Sequence, residues 1–301
     1  MDPVIEVPAT DAKQDEQGSP CGACSKGEGL DFRFSYAYQP IVDVEARTIF
    51  AHEALVRGPN GEPAPTVLSA VTVANRYRFD QACRVRAIGT AAKLGLQTKL
   101  SINFMPNAIY RPEVCIRTTL EAARAHGFPI HRIIFETVEG ERVNDGKWLA
   151  EVLREYQRIG FLTAIDDFGA GFAGLNLLAD FQPDIVKLDM DLVRQIDQRP
   201  ARRAIVRGVS RICAVLGIDI IAEGVETADE FLCLRDLGVR LMQGYLFCKP
   251  LFESCGDVET LGWPSALSTR NLWPAESQGV GGAHSHSLER SQFSGQAQGP
   301  S

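Results

Sequence analysis

Seven apolar runs in this chain each end on a polar residue of a kind that binds metal or phosphate. They are IFAHEAL with Glu53, LSINF with Asn103, IIFETVE with Glu136, LTAIDDFG with Asp166 and Asp167, DIVKLD with Lys187, DIIAEGVE with Glu223, and RLMQGYLF with Gln243. Carboxylate and amide oxygens are hard ligands, and no His or Cys stands among them, which favours Mg²⁺ or Mn²⁺ over zinc. Adjacent aspartates let one carboxylate bridge two ions while its neighbour binds the second alone. Two ions about 3.5–4 Å apart are a common device for in-line displacement at phosphorus. Arg57, on the Glu53 segment, is suited to clamp a phosphate through two parallel hydrogen bonds, and Lys187 to stabilise charge developing there. Taken singly, each residue has a plainer reading, such as a loop carboxylate or an Asx turn at Asp166. Taken together, Glu53, Glu136, Asp166, Asp167 and Glu223 would repel one another at one place unless cations or protons intervened.

Placing these groups together requires many strands that end on one side. Asp31–Val42 and Arg47–Val56 read as two strands joined by the turn DVEA, a hairpin. Helix-like and strand-like segments then alternate, with helices expected over Thr66–Leu94, Asn107–Ala125, Lys147–Arg158, Met190–Leu216 and Ala228–Leu237, the longer spans containing breaks. Thr227-Ala-Asp-Glu230 is a capping box. Gly95, Gly127, Gly160, Gly217 and Gly238 each stand between a helical segment and a strand, where glycine closes a helix in the left-handed conformation. The strands are rich in Ile, Val, Leu and Phe, as buried parallel strands are. About eight of them favour a closed α/β barrel, whose site lies at the carboxyl ends of its strands, over an open doubly wound sheet of similar periodicity.

Composition bounds the rest. The chain has 301 residues, a net charge of -7 and 45% apolar residues, which suits one globular domain and argues against a nucleic-acid-coating protein. Residues 1–30 read as a flexible lead, 31–263 as the barrel domain and 264–301 as a disordered polar tail. The start MDPVIEVPATDAKQDEQ lacks the apolar core of a signal peptide, and no stretch approaches the roughly 18 apolar residues of a membrane span. A cytoplasmic protein without membrane association is expected. Cys21-Gly-Ala-Cys24 has the spacing of half a zinc site or a redox pair. No two further ligands lie close in sequence, and two incidental thiols is the reading adopted; His284 and His286 are read the same way.

Glu53-Ala54-Leu55 within HEALVRG, together with IN at Asn103, ExxE at Glu136 and Glu139, DDFGAG at Asp166, KLD at Lys187, AEGVE at Glu223 and QGYLF at Gln243, resembles the signature of the EAL-domain phosphodiesterases that hydrolyse cyclic di-GMP. The resemblance spans about residues 34–252. It implies a modified TIM (β/α)8 barrel with an antiparallel first strand. It implies two ions, Mg²⁺ or Mn²⁺: Glu53, Asn103, Glu136 and Asp166 on one, Asp166 and Asp167 on the other with Glu223 nearby. Water would attack one phosphodiester, positioned by Lys187 and Gln243, to release linear pGpG. Gln39, Arg57 and Glu226 would contact substrate, and Glu139 would brace the loop after Asp167. A homodimer is implied. The chain departs from the family pattern at Gly58, Val138, Ala170, Phe172, Ala173, Gly174 and Cys248, none of them a ligand position. A second reading is a cyclic di-GMP receptor of weak or no activity that acts through a regulatory protein partner; retention of every ligand position favours the enzyme.

Overall fold

The computed structural model describes residues 30–264 apart from 107, 108, 110–114, 139–145 and 171–173. Glu139, Cys21, Cys24, His284 and His286 therefore lie outside the described residues. Among those described, no helix is long and apolar enough to cross a membrane.

The hairpin opens the fold as expected: β1 (Ser35–Asp43) pairs antiparallel with β2 (Thr48–Arg57). Parallel strands follow in order: β3 (Lys99–Asn103), β4 (Ile133–Val138), β5 (Leu162–Phe168), β6 (Ile185–Leu188), β7 (Asp219–Ala222) and β8 (Leu241–Met242). β8 returns to β1 in antiparallel register, Val42 opposite Met242, so the sheet closes into an eight-stranded barrel with a reversed first strand. A short β9 (Leu251–Phe252) pairs with β1 beside β8, at Ala37 and Tyr38.

Helices cover the barrel: α1 (Ala64–Leu68), α2 (Arg76–Lys93), α3 (Arg117–Ala125), α4 (Gly146–Ile159), α5 (Gly174–Asp180), α6 (Met190–Val193), α7 (Pro200–Leu216) and α8 (Ala228–Asp236). The span expected over Thr66–Leu94 is broken at 69–75. There the Asn75 side chain accepts from Thr72 N and donates to Ala70 O, capturing backbone groups that a helix would use. The Met190–Leu216 span is broken by Gln195, with φ of 56°, and by Pro200, which holds Arg199 extended. Helix α5 was not expected from the sequence. All five glycine stops take positive φ, and Thr227 and Glu230 form the capping box.

Two apolar regions result. The larger fills the space between barrel and helices. The smaller plugs the barrel interior with Ile41, Ala51, Ile134, Ala164, Ile185, Ile221 and Leu241. Strand side chains alternate between faces, so the next inward residue lies two positions on. Two positions beyond the plug residues of β2 and β4–β8 stand Glu53, Glu136, Asp166, Lys187, Glu223 and Gln243; on the reversed β1, two positions back from Ile41 stands Gln39. The polar set is the barrel layer stacked on an apolar floor. Each large aliphatic chain removed from water contributes about 1.5–3 kcal/mol, which offsets part of the cost of the charged layer above it.

Candidate active site at the barrel mouth

At the centre of that layer lies Lys187, fully buried. Its Nζ stands 2.6 Å from Glu223 Oε1, 3.0 Å from Glu136 Oε2, 3.0 Å from Asp166 Oδ1 and 3.7 Å from Glu53 Oε1. Burial alone would depress the ammonium, but Asp166, Glu136, Glu223 and Glu53 outweigh it and raise its pKa well above the ordinary value. One cation does not satisfy so many acids. Burial pushes Glu136 up to about 8 against the pull of Lys187. Burial, with Asp166 and Glu53 adding to it, pushes Glu223 well above its ordinary value despite Lys187. Asp167 rises to about 6 through burial and through its neighbours Asp166 and Asp189.

Not every site residue ends its strand. Asn103 closes β3, but Glu53 sits well inside β2 and Glu136 and Asp166 two residues before their strands finish, while Glu223 and Gln243 lie one residue past β7 and β8. The alternation that makes the layer would also send Asp166 and Asp167 to opposite faces. It is broken at Asp167, whose φ of 52° is left-handed, where the β5–β6 register also shifts. That local kink turns both aspartates to the mouth, and Asp167 N donates to Asp166 Oδ1 at 3.0 Å.

Hydrogen bonds fix the remaining members. Ser101, two residues before Asn103, donates its hydroxyl to Glu136 Oε1. Gln243 Nε2 donates to Glu53 Oε2 at 2.7 Å and to Gln39 Oε1 at 3.1 Å, while Gln39 Nε2 donates to Cys248 O at 3.0 Å. Gly244, next to Gln243, meets the Val225 backbone so closely that a Cβ would overlap it, so only glycine lets the β7 and β8 loops touch here. The Asn103 amide nitrogen faces Glu53 Oε1 at 3.2 Å and Glu136 Oε2 at 3.5 Å. A half turn of this amide about its last torsion would present its oxygen at the same place.

A cavity of about 260 Å³ opens over the layer. Its floor includes Gln39, Glu53, Asp166, Asp167, Glu223 and Gln243, and its rim includes Leu55, Met190 and Tyr245. Glu136 and Lys187 lie beneath it. Glu226 reaches the lining but pairs with Arg194 at 2.7 Å. Arg57 shares the β2 face of Glu53 and stands outside the lining, its Nη1 donating to Val56 O at 2.8 Å. The sequence reading missed Asp189, which lines the cavity and acts on Asp167; its position before a short helix disguises it as an ordinary N-cap, a role it also fills by accepting from Asp191 N.

The donor set suits hard divalent cations. Glu53, Glu136 and Asp166 can each bring an oxygen to one point, as can Asp166, Asp167 and Glu223, with the ligand atoms of each triad within 4.8 Å of one another. Asp166 belongs to both triads. Five carboxylates against the Lys187 ammonium leave four formal negative charges, the charge that two divalent ions would neutralise.

The sequence pattern of the EAL domain family matches residues 30–250. The fold is similar to a standalone versatile EAL protein from Vibrio cholerae O395 in its c-di-GMP bound form, with a TM-score of 0.75 and 53% identity over 80% of this chain and 100% of that one. It is also similar to BlrP1 of Klebsiella pneumoniae in a manganese/cyclic di-GMP complex, with a TM-score of 0.71 and 34% identity over 81% and 59% of the two chains. The blue light- and temperature-regulated antirepressor BluF of Escherichia coli K12 is 30% identical over 264 residues, 86% of this chain and 64% of BluF. The chain thus spans less than two thirds of that relative's length.

Proposed function

Because this chain belongs to the EAL domain family, we propose that it is a metal-dependent phosphodiesterase that hydrolyses cyclic di-GMP to linear pGpG. The observation that carries this reading is the pair of carboxylate triads sharing Asp166 beneath an open cavity. Glu53, Glu136, Asp166 and a turned Asn103 amide would hold one Mg²⁺ or Mn²⁺, and Asp166, Asp167 and Glu223 the second. Bound there, such ions supply the Lewis acidity that activates water and neutralises charge at phosphorus.

The chain's own residues do the remaining work. Lys187 keeps the inner carboxylates ordered and adds positive charge below the reacting phosphate. Gln243, tied to Glu53 and Gln39, holds a fixed amide at the cavity floor, where it would orient water or a phosphate oxygen. Arg57 would leave the Val56 carbonyl to clamp the phosphate, and Glu226 would leave Arg194 to meet the substrate's donors. The cyclic di-GMP found with the Vibrio cholerae and Klebsiella pneumoniae proteins supports this substrate class. We further read the protein as a cytoplasmic homodimer, which sedimentation of the purified chain tests.

Incubation with cyclic di-GMP and Mg²⁺ or Mn²⁺ should yield pGpG. Glu53→Ala should lower turnover on the order of a thousandfold, the equivalent of about 4 kcal/mol of lost transition-state stabilisation. Tight binding without turnover under either metal overturns the enzyme reading. It would favour a cyclic di-GMP receptor working through a protein partner, the reading to which the antirepressor BluF lends weight.

A further inference from the structure

Behind the first triad, on the outer face of the barrel, sits a second buried charge cluster. Arg84 and Asp80 lie one turn apart on α2, both sealed from solvent, with Nη2 and Oδ2 2.6 Å apart. Arg84 Nη1 donates to Tyr156 Oη on α4 at 2.9 Å. The guanidinium faces the rings of Phe104, Phe135 and Tyr156, with centroids 5.5, 5.2 and 5.8 Å away. Phe135 precedes Glu136 on β4, and Phe104 follows Asn103 directly past the end of β3, its N–H still bonded to Glu136 O. By strand alternation, the rings held by Arg84 and the ligands in the mouth are opposite faces of the same two residue pairs.

Asp80 reaches further. β3 ends at Asn103, and the last backbone bond tying it to β4 runs from Phe104 N to Glu136 O at 3.0 Å. The next amide, Met105 N, donates to Asp80 Oδ1 at 2.9 Å. We infer that the Asp80–Arg84 pair is a positioning device: by gripping Met105 N and the Phe104 and Phe135 rings, it sets the height and tilt of Asn103 against Glu136 and so the affinity of the first triad for a divalent ion. Partners that orient metal ligands from behind typically change metal affinity about 10–100-fold when removed. This inference rests on the metal site assigned above.

The test is Mn²⁺ binding measured by calorimetry on full-length protein. The double variant Asp80→Ala/Arg84→Leu removes the grip without leaving a bare buried charge, and should keep the barrel by circular dichroism while weakening Mn²⁺ binding about tenfold. Asp80→Asn keeps an oxygen for Met105 N and should bind Mn²⁺ within about twofold of wild type despite lower stability. In an Asn103→Ala background the double variant should shift affinity less than about twofold, because its effect passes through that residue. A merely structural role would lower stability and leave this non-additivity absent. Should the double variant not fold, Tyr156→Phe, which frees one guanidinium bond, should weaken Mn²⁺ binding about twofold. Wild-type affinity in the folded brace variant, or an undiminished effect on Asn103→Ala, overturns the inference. A wild-type protein that takes up no Mn²⁺ overturns the metal site itself, a different outcome.

Discussion

Two buried cations organise this molecule, and their surroundings could hardly differ more. Arg84 has one carboxylate, one phenol and a shell of rings, and is sealed from solvent. Lys187 has four carboxylates within 4 Å and an open pocket above. The first cluster is balanced in charge, one acid to one base: Asp80 holds Arg84 charged although burial works against it, while burial keeps Asp80 above its ordinary value despite the pull of Arg84. The second is in deficit, and burial among like charges pushes Glu136 and Glu223 toward their protonated forms. A cluster balanced by its own residues serves the fold. A cluster left short of positive charge, with an opening to solvent, is built to be completed from outside.

The two cations should differ most in what their removal costs, and the larger cost falls at Arg84. Arg84→Met strands Asp80 without water or cation and should cost about 3–5 kcal/mol in denaturant unfolding. A loss below about 1 kcal/mol would mean the sealed pair is as adaptable as the open one. Lys187→Met should cost less, about 2 kcal/mol or under, because Glu136 and Glu223 can hold protons and water can enter. That loss should shrink further with saturating Mn²⁺, and equal losses with and without the ion would remove the contrast.

Acidity sharpens it. Glu136 titrates near 8 in the folded protein against 4.5 ordinarily, so between those values the folded chain holds a proton that the unfolded chain has released. Through this group, raising pH over that window destabilises the metal-free protein. Mn²⁺ must displace the proton, so its affinity should climb over the same window, with proton release on binding. Calorimetric melting at pH 5, 6.5 and 8 should show the gap between metal-bound and metal-free protein widening; a constant gap would contradict the deficit. The smallest effect belongs to Arg194, whose pairing with Glu226 is solvent-exposed. Arg194→Ala should leave stability within about 1 kcal/mol and affect only the affinity for cyclic di-GMP, read by titration.

The site was legible because its spacing is local. An apolar residue in the floor and a polar residue two positions on is a pattern within one strand, and the five glycine stops mark where five of the strands begin. Other features depend on partners distant in sequence. Asp80 and Arg84 read as an ordinary helix pair, no different from Glu155 and Arg158, which are one turn apart and face water; only the Phe104, Phe135 and Tyr156 rings tell them apart. Asp189 looks like a cap because it is one. That Lys187 would serve four carboxylates follows from barrel closure, which brings β2, β4, β5 and β7 around it. Arg57 shares the β2 face of Glu53, but four residues along a strand is about 13 Å, and it stands beyond the cavity lining.

The reversed β1 has one more consequence. Ser35 lies opposite Arg57 and Asp43 opposite Thr48, so the polypeptide enters the barrel at the rim that carries the cavity and crosses to the far side before the hairpin turn. In a barrel with eight parallel strands, upstream sequence would join at the opposite rim, a full strand length from the chemistry. Here the strand starts at the cavity rim itself, so the exposed Arg33, just ahead of it, stands on that side of the barrel. For the same reason, a fluorophore attached at Arg33 should report on the cavity mouth.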